Sequence, residues 1–175
     1  MSKVNETREL MNCNIILEHY RFIKKMNDMS TKEFCDFIYG ISPAAYSAFK
    51  NKGINNVQNI IADYLSIIKS SLRAMQNAYT LSPNKNRTTK RHYQLISLYY
   101  IRNTKSSSPS EISKKLNLCQ NQFCRHRIDA LKCFAEFFNT FAERKGYHNA
   151  LSNIDVRIIE IARLDKKAKT AQSIA

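Results

Sequence analysis

"SSSPSEISKKLNLCQNQFCRHRIDALKCFAEFF" occupies residues 106–138, and the fold turns on how it is read. Ser108 can accept a hydrogen bond at a helix start, Pro109 is pre-shaped for the first helical position, and Glu111 completes a reciprocal capping box. A helix is therefore predicted to begin here, with Ile112 and Leu116 on its buried side. Asn117 follows; after glycine, asparagine most readily takes the left-handed backbone geometry that a tight turn needs. Leu118 is expected to pack under that turn. A second, basic helix is predicted from about Cys119 or Gln120, with Phe123, Ala130 and Leu131 facing inward.

That arrangement leaves Gln120, Asn121, Gln122, Arg125 and His126 facing outward. Such side chains suit base edges: arginine pairs bidentately with guanine, and asparagine or glutamine with adenine. Arg127, Lys132, Lys114 and Lys115, joined by Arg87, Lys90 and Arg91 from the preceding segment, suit phosphates, which position a protein on a duplex without reading sequence. The bland alternative is a basic, solvated two-helix corner of an ordinary helical domain.

The charge distribution favours the first alternative. The 175-residue chain carries 28 lysines and arginines against 14 acidic residues, a net charge of +14. Eleven of those cations and only two acidic residues, Glu111 and Asp129, fall between Lys85 and Lys132. A surplus focused in this way points to a polyanionic partner. The hydrophobic content of 43% is enough for a packed core. No apolar run approaches the roughly 18 residues of a membrane span, and "MSKVNETREL" lacks the hydrophobic segment of a signal peptide. A soluble cytoplasmic protein without a membrane partner is expected.

The five cysteines (Cys13, Cys35, Cys119, Cys124, Cys133) are an odd number set within helical patterns, which suits a reducing compartment. Cys119, Cys124 and His126 form the one cluster suggestive of zinc, yet no C-x-x-C pair and no second half of a site accompany it. No metal and no cofactor are expected. Catalysis finds little support either. Gly40, Gly53 and Gly146 cannot make a phosphate loop, G-x-S-x-G and H-E-x-x-H are missing, and His19, His92, His126 and His148 are dispersed. The chain does not read as an enzyme.

Outside the quoted stretch the helical period recurs. Leu10, Ile15, Ile16, Ile23 and Met26 predict an opening helix from about Thr7 to Met26. Ser30 and Glu33 have the spacing of another capping box, and Ser42-Pro43 restarts the pattern after Gly40. Residues 30–53 thus form a second candidate helix-turn-helix. Phe34, Ile38, Ile41, Tyr46 and Phe49 would be its core, and Pro43, Ala44, Ser47, Lys50 and Lys52 would lie near its outer face. Ser47, Lys50 and Lys52 are a second candidate DNA contact, packing or partner binding being the alternative. Val57, Ile60, Ile61, Tyr64, Leu65, Ile68, Leu72 and Met75 hold one apolar stripe, predicting a long helix over 56–78.

"TLSPNKNRTTK", residues 80–90, has the composition of a linker. It would divide an N-terminal helical domain (1–79) from a C-terminal helix-turn-helix domain (91–165) that begins with "RHYQLISLYYI". Phe134, Phe137, Phe138 and Phe141 extend the second basic helix toward Gly146, and Ile154, Ile158, Ile159, Ile161 and Leu164 predict a last one. Residues 166–175 read as a flexible basic tail. No strand signal appears, so the expected fold is all-α.

The segment Arg91–Phe138 also resembles a family. The "YQLISLYYI" helix, "EISKKLNL", "RHRIDAL" and the "FAEFF" directly after it are similar to the C-terminal module of ArpU-type phage late transcriptional regulators. That module is related in pattern to RinA-type activators and to the promoter-reading last region of sigma factors. The segment departs from the family in having Cys119 where a serine cap is usual, and His126 where many such units carry an apolar residue. The resemblance implies a phage or prophage protein acting in the bacterial host cytoplasm. It would bind double-stranded DNA near a late promoter and control packaging, structural or lysis genes, with host RNA polymerase and a second copy of the chain as candidate partners. Two rival readings are a DNA-recognition subunit of a packaging machine, similar to small terminase subunits, and an interaction protein whose basic face meets an acidic partner.

Overall fold

The computed structural model describes residues 3–78, 83–102 and 108–174, with side chains placed for all of these but 3–5, 83–87 and 174. Every regular element among them is helical, as the periodicities predict. In chain order the helices are α1 (Lys3–Glu18), α2 (Tyr20–Asn27), α3 (Thr31–Ile41), α4 (Pro43–Lys52), α5 (Ile54–Asn77), α6 (Pro83–Ile96), α7 (Pro109–Lys115), α8 (Gln120–Arg144) and α9 (Val156–Ile174). A single π-helical turn, Ser97–Ile101, closes α6, marked by the Arg102 amide donating to the Ser97 carbonyl at 2.7 Å.

Two long helices organise the core. The stripe of α5 is buried along its length, from Val57 through Ile61, Tyr64, Leu65 and Ile68 to Met75. Against it lies α8, which buries Phe134, Phe138 and Ala142. The Tyr64 and Phe138 rings meet at 6.0 Å between centroids, and Phe134 and Phe138 at 5.7 Å. Helix α6 packs along the other flank of this pair, α1 lies on α8, and α9 reaches back to α1, α2 and α3.

Several expectations are corrected. The opening helix is split at His19 (φ −98°, ψ 9°) into α1 and α2. The His19 ring is buried there, with Nδ1 2.6 Å from Oδ2 of Asp165 on α9, so the break coincides with a polar tie across the core. Burial pushes the Asp165 carboxyl up, but hydrogen bonds from His19 and Lys169 outweigh it and hold the group below its ordinary value.

The expected linker over 80–90 is helical from Pro83 onward, and residues 80–82 lie outside the described residues. Proline and the polar residues after it read as loop, yet proline at the start of a helix gives up an N–H that would have no partner anyway. Nor does that segment separate two cores, because Ile61, Tyr64 and Leu65 belong to the same buried cluster as Ile112, Phe123 and Phe134. The expected tail at 166–175 continues α9 as far as Ile174.

Candidate nucleic-acid interface

The predicted box at the start of α7 is formed. Ser108 Oγ accepts from the Glu111 amide at 3.2 Å, and Glu111 Oε2 accepts from the Ser108 amide at 2.9 Å. At the other end of α7, Asn117 has φ 52°. The Leu118 amide donates to the Ser113 carbonyl at 2.9 Å and the Asn117 amide to that of Lys114 at 3.1 Å. These bonds satisfy carbonyls that a helix end otherwise leaves bare, and they need a left-handed residue at position 117. Ile112 is fully buried, and Leu116 and Leu118 pack half-buried against the core.

Helix α8 opens immediately after the turn, with Cys119 in extended geometry (φ −73°, ψ 164°) at its N-cap. Gln122 plays here the part that Glu111 plays at α7, its Oε1 accepting from the Cys119 amide at 3.0 Å. This engages Gln122, one of the expected base readers, in the cap of its own helix. Phe123, Ala130 and Leu131 are buried as predicted.

Gln120, Asn121 and Arg125 are exposed. Helical spacing places Asn121, Arg125 and Ile128 in one row, at i, i+4 and i+7. Ile128 is 48% exposed, a large aliphatic side chain on an otherwise polar face. The sequence reading passed over it, although its spacing from Asn121 and Arg125 was the available signal. Lys114, Lys115, Lys90 and Arg91 are exposed as well. A groove of about 390 Å³ brings Lys115 of α7 together with Lys90 of α6 and Arg102 beyond the π-helical turn. The side chain of Arg87 lies outside the described residues.

Three expected contacts are placed differently. Arg127 is half-buried and turned into the molecule. Its Nε donates to the Tyr100 hydroxyl at 3.1 Å, Nη2 to Asn14 Oδ1 at 2.8 Å, and its guanidinium lies 4.8 Å from the Tyr99 ring centroid. Burial works against that charge, but the bond to Tyr100 and the surrounding groups outweigh it and raise the Arg127 pKa. Burial likewise pushes the Tyr100 hydroxyl up to about 12. Position 127 follows the core face of α8, between Phe123 and Ala130, so the residue ties α8 to α1 and the π-helical turn instead of meeting a phosphate.

Lys132 is exposed, but its Nζ lies 2.6 Å from Glu6 Oε1 of α1. His126 is half-buried and gathered with His92 and Asp129, one ligand-capable atom of each lying within 4.8 Å of the others. Burial lowers the His92 pKa, against the opposing pull of Asp129.

The second candidate pair has matching local construction. Ser30 and Glu33 form their box, and Ser42 Oγ accepts from the Ala45 amide at 3.3 Å to start α4. Phe34, Ile38 and Phe49 are buried, with Ile41 and Tyr46 half-buried. Ser47, Lys50 and Lys52 are exposed, as are Pro43 and Ala44. Among the described residues, no helix is long and apolar enough to cross a membrane. No protein-family model, curated protein or solved structure gives a significant match to this chain.

Proposed function

We propose that the chain is a sequence-specific double-stranded DNA-binding regulator of transcription, and not an enzyme, with the first three turns of α8 set in the major groove. The observation that carries this reading is the exposed row Asn121, Arg125 and Ile128, presented directly after a capped helix and a left-handed turn within the most basic part of the chain. Arg125 would pair with guanine, Asn121 and Gln120 with adenine, and Ile128 would contact a thymine methyl. Lys114, Lys115 and Arg91 would hold phosphates on either side. The resemblance of Arg91–Phe138 to phage late regulators extends the proposal to a late promoter in a bacterial host, with RNA polymerase as partner. The pair α3–α4 would then serve as a second, weaker contact with DNA or with that partner.

The test is selection of bound fragments from a phage genome by the full chain, followed by protection mapping at increasing salt. One protected promoter segment is expected, and log K should fall by about 0.9 per phosphate contact for each unit of log salt. Salt-insensitive binding, or no preference among fragments, would overturn the reading. Rings formed on a packaging site would favour the terminase-like alternative.

A further inference from the structure

We propose that His92, His126 and Asp129 form a binding site for a divalent transition-metal ion of the zinc class, which clamps α6 to α8. The three residues offer two imidazole nitrogens and a carboxylate oxygen, with one such atom from each lying within 4.8 Å of the others. His126 and Asp129 stand at i and i+3 on α8, so they share a face, and His92 reaches them from α6, which packs along that helix.

The chemistry fits a borderline ion. Zinc bonds to imidazole nitrogen and carboxylate oxygen are about 2.0 to 2.2 Å long, so two tetrahedral donors sit about 3.4 Å apart. The widest donor pair therefore has to close from at most 4.8 Å to about 3.4 Å, a shift that side-chain torsions can supply. Three protein ligands leave a fourth position for water, and nitrogen with oxygen suits zinc, cobalt or nickel better than a soft ion. His92 is only 8% exposed while Asp129 lies in solvent, so one ligand is fixed by packing and the ion has an open approach.

Neither composition nor the local spacing of cysteines signalled this cluster, because His92 lies on a different helix from the other two residues. Cys119 and Cys124, the thiols that precede His126 in sequence, are exposed and take no part in it. An ion held between α6 and α8 in the folded chain alone would stabilise the fold by mass action. The site stands on the packing of these two helices and does not depend on α8 reading DNA.

The test uses the full chain, with Zn²⁺ titrated calorimetrically and by thermal melting, and with Co²⁺ as an optical probe. Saturation at one ion per chain is expected, together with a rise in Tm and visible cobalt bands lacking thiolate charge transfer. His126→Gln and Asp129→Asn, which alter less buried positions than His92, should each weaken affinity at least tenfold while leaving the metal-free melt in place. The double variant Cys119→Ser/Cys124→Ser should bind as the parent does. Unchanged affinity in both His126→Gln and Asp129→Asn would overturn the proposal, as would loss of binding in the cysteine variant or no saturable uptake by the parent chain.

Discussion

Helices α3 and α7 begin alike. Each is opened by a serine in extended geometry (φ −61°, ψ 159° at Ser30; φ −61°, ψ 155° at Ser108) whose box is closed by a glutamate three residues on. Each is followed by a second helix that buries a phenylalanine, Phe49 in α4 and Phe123 in α8. The pairs diverge after that. Ser42 alone joins α3 to α4, acting as the C-cap of one and the N-cap of the other, whereas Leu116–Cys119 join α7 to α8 through a left-handed asparagine. Helix α4 has 10 residues and exposes alanine, proline and serine over its first half. Helix α8 has 25, of which the second half packs one face, Phe134, Phe138 and Ala142, into the core and the first half presents Gln120, Asn121 and Arg125. The same local start therefore does not give the same surface. What separates a base-reading candidate from a packing element is the chemistry its second helix leaves in solvent.

The largest effects should appear where the two pairs are equivalent. Ile38 on α3 and Ile112 on α7 are both fully buried in one continuous cluster. Truncating either to alanine removes three carbons and leaves a cavity, at a cost of about 2 to 5 kcal/mol. Ile38→Ala and Ile112→Ala are each expected to lower the midpoint of a single cooperative urea transition followed by circular dichroism. Two separated transitions, each moved by only one of the substitutions, would break the equivalence and restore a boundary between the halves.

A smaller effect should expose the difference. Arg125→Ala is expected to cost about 1 to 3 kcal/mol on the selected DNA site and much less on random DNA, because a bidentate base contact carries sequence information. Lys50→Ala, its counterpart on α4, is expected to weaken both kinds of DNA slightly and equally, as the loss of a phosphate contact does. Titrations of both variants against matched and scrambled duplexes check this. Equal losses for Arg125→Ala on the two duplexes would remove that residue from base reading and leave the two pairs alike.

The sequence made the elements legible wherever local chemistry decides them. Both serine-glutamate boxes, the left-handed Asn117, the stripe of α5 and the inward set Phe123, Ala130 and Leu131 follow from spacing and side-chain type. Residues whose neighbours come from distant parts of the chain were harder to read. Arg127 looked like one more surface cation, because nothing near it in sequence reveals that Asn14 and Tyr100 would satisfy its guanidinium. His126 meets His92, and Lys132 meets Glu6, across helix packing that no local pattern encodes. At Pro83 the composition of a loop hid a helix start, since proline marks both.

The smallest predicted effect tests the turns themselves. Asn117 sits at φ 52°, where a Cβ crowds the following carbonyl, so Asn117→Ala is expected to cost about 1 kcal/mol and Asn117→Gly to hold or slightly raise stability. Ser42 is extended at φ −154° and contributes its hydroxyl instead, so Ser42→Ala should cost about 1 kcal/mol while Ser42→Asp is tolerated. Urea midpoints at constant slope distinguish the two patterns. If alanine proves harmless at position 117, the left-handed turn is not what sets α8 against α7. The orientation of the Asn121–Arg125–Ile128 row must then come from the Phe134 and Phe138 anchorage further along the helix.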